Sequence, residues 1–142
     1  MSTCSVYGAQ DGVLTEDSGT NPLSEYASSK LKAEEYLKDS DALIFRLGTL
    51  FGLSDEFSRV RLDLVVNILT AKALIDKKIS VFGGEQWRPL LHVNDVSNAI
   101  SHCLKTDVSG IYNLHHKNYR IIDIAREIEN KVKDVEVEVT PM

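Results

Sequence analysis

Ala42-Leu43-Ile44-Phe45-Arg46-Leu47 is an apolar run of strand length, and Gly48-Thr49-Leu50-Phe51-Gly52 follows it directly. An apolar run without alternation is typical of a strand that is buried on both faces, as in a parallel sheet. In open sheets of this kind, ligands bind at the carboxyl ends of the strands. Gly48 and Thr49 are therefore candidate site residues, although a simple turn would account for the same pair.

Helical and strand-like patterns alternate on both sides of this run. Strands are predicted at Thr3–Tyr7, Ile79–Gly83, Leu90–Val93, Gly110–Leu114 and Val135–Val139. Helices are predicted at Ser24–Leu37, Ser58–Asp76 and Ile121–Val132, and one more helix is predicted to start at a cap formed by Asn94 or Asp95. Loops are predicted at 9–21 and 84–89. Strands that alternate with helices indicate an α/β protein with a mainly parallel sheet.

The helix predicted at Ser24–Leu37 carries Tyr26 and Lys30, one turn apart on the same face. An ammonium beside a phenol favours the phenolate, so the hydroxyl can accept a proton nearer neutral pH. This is the chemistry that removes a proton from an alcohol. With five tyrosines in the chain, such a spacing also arises by chance. Together with Ala33 and Leu37, the pair forms a stripe that we expect to face inward or into a cleft.

Composition excludes several classes of function. The chain has 142 residues, a net charge of -5 and a pI near 5.3, which argues for a globular domain or part of one and against a nucleic-acid surface. Cys4 and Cys103 lack metal-ligand or CxxC spacing, so we expect two reduced thiols in a cytoplasmic protein and no metal site. No apolar run is long enough for a membrane span. The adjacent His115 and His116 are more typical of a solvated turn than of a metal or acid/base pair.

Several patterns occur together in a fixed order and resemble successive blocks of one family. They are Thr3-Cys-Ser-Val-Tyr7-Gly8, Tyr26-xxx-Lys30, Arg46-Leu-Gly-Thr-Leu-Phe-Gly52, Val81-Phe-Gly83, Arg88-Pro-Leu-Leu-His-Val-Asn-Asp95 and Gly110-Ile-Tyr-Asn113. The resemblance is to the extended short-chain dehydrogenase/reductase family, the NAD-dependent epimerase/dehydratases. It covers nearly the whole chain. It implies a Rossmann-like, doubly wound domain and part of a small α/β substrate lobe.

The resemblance also implies roles for individual residues. Tyr26 would be the catalytic acid/base, and Lys30 would favour its phenolate while binding the nicotinamide ribose of NAD or NADP. Thr3 matches a hydroxyl residue that hydrogen-bonds the reacting hydroxyl of the substrate. Gly48 and Thr49 would lie against the nicotinamide and the sugar. Arg88 matches a position that binds the substrate diphosphate, while a surface ion pair is the alternative.

The main departure from the family is at the front of the chain. The family opens with a glycine-rich turn that holds the pyrophosphate, and none of the eight glycines here forms that motif. We therefore expect a fragment that is inactive alone and that exposes sheet edges. Residues 1–57 would be the second half of the catalytic domain. Residues 58–142 would combine the substrate lobe with a late Rossmann strand.

The expected function is that of a nucleotide-sugar epimerase, which oxidises a sugar hydroxyl to a ketone and reduces it again. Dehydratases of the family carry an Asp-Glu pair after the Ser/Thr, whereas this chain has Cys4 and Ser5. A carbonyl or sugar-nucleotide reductase and a non-catalytic dinucleotide-binding or interaction module are the alternatives. The expected partner is a small hydroxylated substrate, with no nucleic acid and no membrane, and the resemblance implies pairing of two copies through the Tyr/Lys helix.

Overall fold

The computed structural model describes residues 1–53 and 55–141 and has an α/β fold with mainly parallel sheets, as predicted. The chain divides into two compact units. The first unit comprises Met1–Gly48 and Asp95–His115, and the second comprises Thr49–Asn94 and His116–Met142. Each unit is assembled from two separate stretches of sequence.

The first unit is built on a parallel sheet of three strands. Its order is β1 (Ser2–Thr3), β2 (Leu43–Leu47) and β6 (Gly110–Leu114). Helix α1 (Glu25–Tyr36) packs against β1, and α3 (Val93–Cys103) lies almost wholly within this unit. Ile44 and Phe45 of β2 are buried, as expected for a central parallel strand.

The second unit contains two small sheets. One has the order β3 (Thr49–Phe51), β5 (Trp87–His92) and β7 (Lys117–Arg120), in which β7 is antiparallel. The other pairs β4 (Lys78–Phe82) with β8 (Glu136–Thr140) in parallel. Helices α2 (Val65–Ile75) and α4 (Ile121–Lys131) pack on each other around a core of Leu69, Ala73, Ile79, Val81, Leu90, Ile124, Ala125 and Ile128.

The first predicted strand is shorter than expected. Extended backbone ends at Thr3, and Cys4–Tyr7 forms a 3₁₀ turn. The Thr3 hydroxyl causes this, because its oxygen accepts a hydrogen bond from the Ser5 amide and caps the turn. Gly8 ends the turn with φ of 70°.

The predicted helix Ser58–Asp76 is wrong over its first turns, because α2 begins only at Val65. Arg61 and Asp63 form a two-point ion pair across two residues, and residues two apart do not face each other on a helix. The side-chain amide of Asn67 also donates to the Arg61 carbonyl, and this hydrogen bond holds the segment before α2 as a loop.

Two further elements differ from the prediction. Trp87–His92 is a strand, so Arg88 lies within β5 rather than in a loop, and α3 follows it directly at Val93 without a cap at Asn94 or Asp95. Strand β7 was not predicted, because Lys117–Arg120 is a polar sequence at the edge of a sheet, where apolar alternation is not required.

Candidate functional site

Helix α1 presents Tyr26 and Lys30 together. Ser24 caps the helix by accepting a hydrogen bond from the Ala27 amide at 3.1 Å, which places Tyr26 in the first turn. The Lys30 Nζ lies 5.8 Å from the centroid of the Tyr26 ring and donates to the Met1 carbonyl at 3.4 Å. No described residue forms a hydrogen bond with the Tyr26 hydroxyl, and Tyr26 is 57% exposed.

Of the two alternatives for the stripe of Tyr26, Lys30, Ala33 and Leu37, the inward one is wrong, because most of these residues are exposed. Tyr26, Ala33 and Leu37 are exposed and Lys30 is half-buried, whereas Ala27 and Glu34 are the buried residues of α1. With 3.6 residues per turn, the two stripes are about a quarter of a turn apart. Tyr26 and Lys30 therefore lie on the open flank of the helix, with Tyr26 exposed and Lys30 half-buried.

Thr3 and Gly48 lie at the carboxyl ends of neighbouring strands. Thr3 pairs with Leu47 in the parallel register of β1 and β2, and Gly48 follows Leu47. The Gly48 amide donates to the Leu114 carbonyl at the end of β6, at 2.9 Å. Thr3 is buried, and its hydroxyl lies 3.1 Å from the exposed Ser5 hydroxyl. This edge of the sheet is where ligands bind in parallel α/β folds.

A buried ion pair that sequence reasoning missed lies behind this edge. Arg46 and Glu34 are each 4% exposed. The Arg46 Nε lies 3.2 and 3.1 Å from the two Glu34 oxygens, and Nη2 donates to Oε2 at 2.7 Å. Burial alone would lower the pKa of the Arg46 guanidinium, but its hydrogen bonds with Glu34 and Tyr7 outweigh burial and raise the pKa. Glu34 also accepts a hydrogen bond from the Ser2 hydroxyl.

The same guanidinium binds Tyr7 on its other side. Arg46 Nη1 donates to the Tyr7 hydroxyl at 2.9 Å, and that hydroxyl donates to the Asn113 side chain at 2.8 Å. Arg46 thus connects α1, β1, the 3₁₀ turn and β6. A signal was present in the sequence, since an arginine inside an apolar strand requires a buried carboxylate. Its partner could not be chosen, because several acidic residues fit equally well.

Glu16 fastens the loop 9–21 to β6. Its Oε1 accepts a hydrogen bond from the Asn113 amide at 2.6 Å, and its carbonyl accepts one from Arg46 Nη1 at 3.3 Å. The hydrogen bond from Asn113 is the main cause that lowers the pKa of the Glu16 carboxyl below 4.5. Glu16 is exposed, so its lowered pKa contributes little to the stability of the fold.

We expect a carbon-13 NMR titration of the carboxyl groups to place the Glu16 pKa below that of an unperturbed glutamate. A group with a lowered folded pKa adds stability above its unfolded pKa, and this stability is lost as pH falls through the folded pKa. Glu16→Gln should remove that acid-dependent component and speed exchange of the Asn113 amide. An unchanged Asn113 exchange rate would contradict the role assigned to the carboxylate.

The second unit holds the other two predicted site residues. Thr49 begins β3, is half-buried and pairs with Leu90 in parallel register. Arg88 is exposed on β5, where its backbone is in register with Tyr119, and its Nη1 donates to the Trp87 carbonyl at 3.2 Å. No carboxylate in the described part of the chain forms an ion pair with Arg88, so its charge is available to an anion.

The described residues form neither a cluster of metal ligands nor a membrane-spanning helix. Within residues 1–53 and 55–141, no three His, Cys, Asp or Glu residues are grouped as metal ligands. No helix in these same ranges is both long and apolar enough to cross a bilayer. Cys4 and Cys103 are free thiols, and burial raises the pKa of Cys4 to about 11, so this thiol is a poor nucleophile.

Comparison with known proteins agrees with the resemblance seen in the sequence. A model of the NAD dependent epimerase/dehydratase family matches residues 1–114. The chain is 32% identical over 107 residues to the uncharacterized UDP-glucose epimerase YtcB of Bacillus subtilis (strain 168). That match covers 70% of this chain and 32% of YtcB, so the chain spans about a third of the relative's length.

Solved structures match almost the whole chain. The UDP-glucuronic acid 4-epimerase from Bacillus cereus, in complex with UDP-glucuronic acid and NAD, is 28% identical with a TM-score of 0.80. The NAD-dependent NDP-hexosamine 5,6-dehydratase TunA, involved in tunicamycin biosynthesis, is 27% identical with a TM-score of 0.82. The matches cover 99% of this chain and 47% and 48% of those chains. The predicted Rossmann-like fold and the NAD cofactor of the family are thereby confirmed, and the chain belongs to the NAD-dependent epimerase/dehydratase family.

Proposed function

We propose that this chain carries the proton-transfer residues of an NAD(P)-dependent nucleotide-sugar epimerase. The observation that supports this most directly is the placement of Tyr26 and Lys30 on the open flank of α1, with the Tyr26 hydroxyl unengaged by the described residues. A phenol and an ammonium so placed can take a proton from an alcohol. The similarity to YtcB and to the Bacillus cereus enzyme favours a UDP-sugar as the substrate class.

In the proposed reaction, Tyr26 accepts the proton of a sugar hydroxyl. Lys30 stabilises the negative charge that the phenol bears before this transfer, and Thr3 orients the hydroxyl by hydrogen bonding. The nicotinamide supplies reversible hydride transfer when bound. Tyr26 then returns the proton to the oxygen of the ketone, which restores a hydroxyl of either configuration.

The residues present suit the nicotinamide-ribose end of the cofactor. Lys30 has an ammonium whose only described hydrogen bond is a long one of 3.4 Å to a backbone carbonyl. Tyr26 and Lys30 can therefore offer donors to ribose hydroxyls, and Gly48 lets backbone approach closely at the strand end. We assign Arg88 to the diphosphate of the substrate and Thr49 to the sugar. No carboxylate among residues 1–53 and 55–141 pairs with the Arg88 guanidinium, which supports the role given to Arg88.

The location and assembly of the protein are part of the same proposal. Two free thiols and an acidic pI suit a cytoplasmic enzyme. We expect two copies to associate through α1, as members of the family do, and the exposed Leu37 directly after that helix offers apolar surface for this contact.

Titration with NADH, followed by nicotinamide fluorescence, tests the proposal. We expect NADH to bind Tyr26→Phe/Lys30→Ala at least about tenfold more weakly than it binds the intact chain, because each of the two substitutions removes a hydrogen bond to a ribose hydroxyl. NADPH should be titrated in parallel. The matched control is Tyr36→Phe/Lys32→Ala, which changes the same residue types at exposed positions of the same helix.

Absence of NADH and NADPH binding up to millimolar concentration would contradict the proposal for this chain. Where binding is found, incubation with NAD and UDP-glucuronic acid separates an epimerase from a reductase. An epimerase forms the epimer without net production of NADH, whereas net cofactor turnover would indicate one-way oxidation or reduction.

A further inference from the structure

The apolar residues of α1 do not by themselves define one rotation of the helix about its axis. Tyr26 and Ala33 lie on one side of the helix and are exposed. Ala27 is buried and Leu31 is half-buried on another side, which also buries the charged Glu34. An apolar stripe normally sets how a helix lies on a sheet. Another interaction must therefore hold α1 in its observed rotation.

The ion pair between Glu34 and Arg46 supplies that interaction. Arg46 lies in β2, at the centre of the parallel sheet of the first unit, and cannot move without disturbing β1 and β6. Its guanidinium meets the carboxylate through three N–O contacts of 2.7 to 3.2 Å. A planar fork of this kind fixes direction as well as distance. Glu34 is thus held against the sheet at one defined angle.

The same network reaches the strand end that carries Thr3. Ser2, directly before Thr3, donates its hydroxyl hydrogen bond to Glu34, and Tyr7 at the end of the 3₁₀ turn accepts from Arg46. Helix α1 and the turn that Thr3 caps are therefore fastened to one guanidinium from two sides.

We propose that the Glu34–Arg46 ion pair is a positioning device that sets the rotation of α1 and so holds Tyr26 and Lys30 on the open flank beside the Thr3 turn. Lys30 and Tyr26 lie one and two turns before Glu34 on the helix, so a change of rotation at Glu34 carries both with it. Buried ion pairs often add little stability but specify one arrangement among several. The role of the ion pair in setting the rotation of α1 does not depend on the proposed function. Only the catalytic use of Tyr26 and Lys30 at that rotation rests on it.

The test replaces the pair with apolar residues of similar size, Glu34→Leu/Arg46→Met, in the full chain. Such a double replacement of a buried ion pair is compatible with a stable fold. The chain is labelled with 3-fluorotyrosine, and the Tyr26 fluorine resonance is assigned from Tyr26→Phe. We expect a smaller H₂O/D₂O isotope shift of this resonance, or two resonances, because α1 is then no longer held at one rotation and can turn Tyr26 toward the sheet. NADH affinity should fall by about tenfold or more.

Tyr7→Phe is the matched control, since it removes one hydrogen bond of Arg46 but leaves the fork to Glu34 intact. It should leave the Tyr26 resonance unchanged. The proposal is overturned if the folded double variant keeps the wild-type Tyr26 resonance, or if Tyr7→Phe alters that resonance equally. If the double variant does not fold, Glu34→Gln replaces it in the test, because this substitution breaks the two-point contact with Arg46 and conserves the size of the side chain. A single, unchanged Tyr26 resonance in Glu34→Gln would again overturn the proposal.

The two readouts separate this inference from the proposed function. If the wild-type chain binds no NADH, the proposed function fails, while the fluorine resonance still reports whether the ion pair sets the rotation of α1. If the chain binds NADH and the double variant binds equally well with an unchanged Tyr26 resonance, only the positioning role fails.

Discussion

Arg46→Met is expected to lower the free energy of unfolding by about 3–5 kcal/mol, because it leaves the Glu34 carboxylate buried without a cation, with the Ser2 hydroxyl as a remaining donor. For a chain of this size, the midpoint of thermal unfolding should fall by about 10 °C or more. The loss comes from the stranded charge rather than from the methylene groups, which methionine replaces. Calorimetry or far-UV circular dichroism would measure it.

The pH dependence of this variant identifies the cause. Protonation removes the charge of the stranded carboxyl, so the variant should lose less stability relative to wild type as pH falls toward about 4, where carboxyl groups take up protons. The exposed ion pair of Arg61 and Asp63, at 56% and 59% side-chain exposure, offers a control in which the same substitution removes an arginine from a carboxylate. Arg61→Met should change stability by less than about 1 kcal/mol. Equal losses at the two sites would contradict the role of burial.

Elements with strong local signals were predicted well from the sequence. The helix Ser24–Leu37 is observed as α1 (Glu25–Tyr36), since the cap at Ser24 and the good helix formers after it act locally. The apolar run Ala42–Leu47 is observed as β2 (Leu43–Leu47), because burial on both faces requires such a run. Strand β6 matches Gly110–Leu114 for a related reason, since it pairs with β2 over its whole length.

Features that depend on distant partners were not predictable. The sequence shows Glu34 as one more charge on a helix, and only its position against Arg46 makes it a buried residue. That pairing, in turn, decides the orientation of Tyr26 and Lys30. Strand β7 was missed for a similar reason, because its pairing with β5 gives it its structure, while its own residues are polar. Thr3 ends its strand early because its side chain caps a turn.

Gly8→Ala is expected to be among the most damaging single changes in the turn that carries Thr3. Gly8 has φ of +70°, and a Cβ atom there would lie 2.0 Å from the Asn21 carbonyl oxygen. Left-handed backbone costs a residue with a side chain about 1 kcal/mol or more, and the overlap with backbone adds about 1–3 kcal/mol. Because Asn21 also donates to the Val6 carbonyl, relief of the overlap must displace the loop 9–21 from the turn.

Two other glycines of that loop separate the two contributions to this loss. Gly12 has φ of +88° with nothing within 4 Å of a Cβ, so Gly12→Ala should show the backbone cost alone. Gly19 has neither a left-handed φ nor a neighbour within 4 Å, so Gly19→Ala should be close to neutral. Chemical denaturation of the three variants should therefore rank the loss of stability as Gly8, then Gly12, then Gly19. Equal losses for Gly8→Ala and Gly12→Ala would show that the loop yields freely at Asn21, and the Thr3 turn would then not depend on this contact for its position.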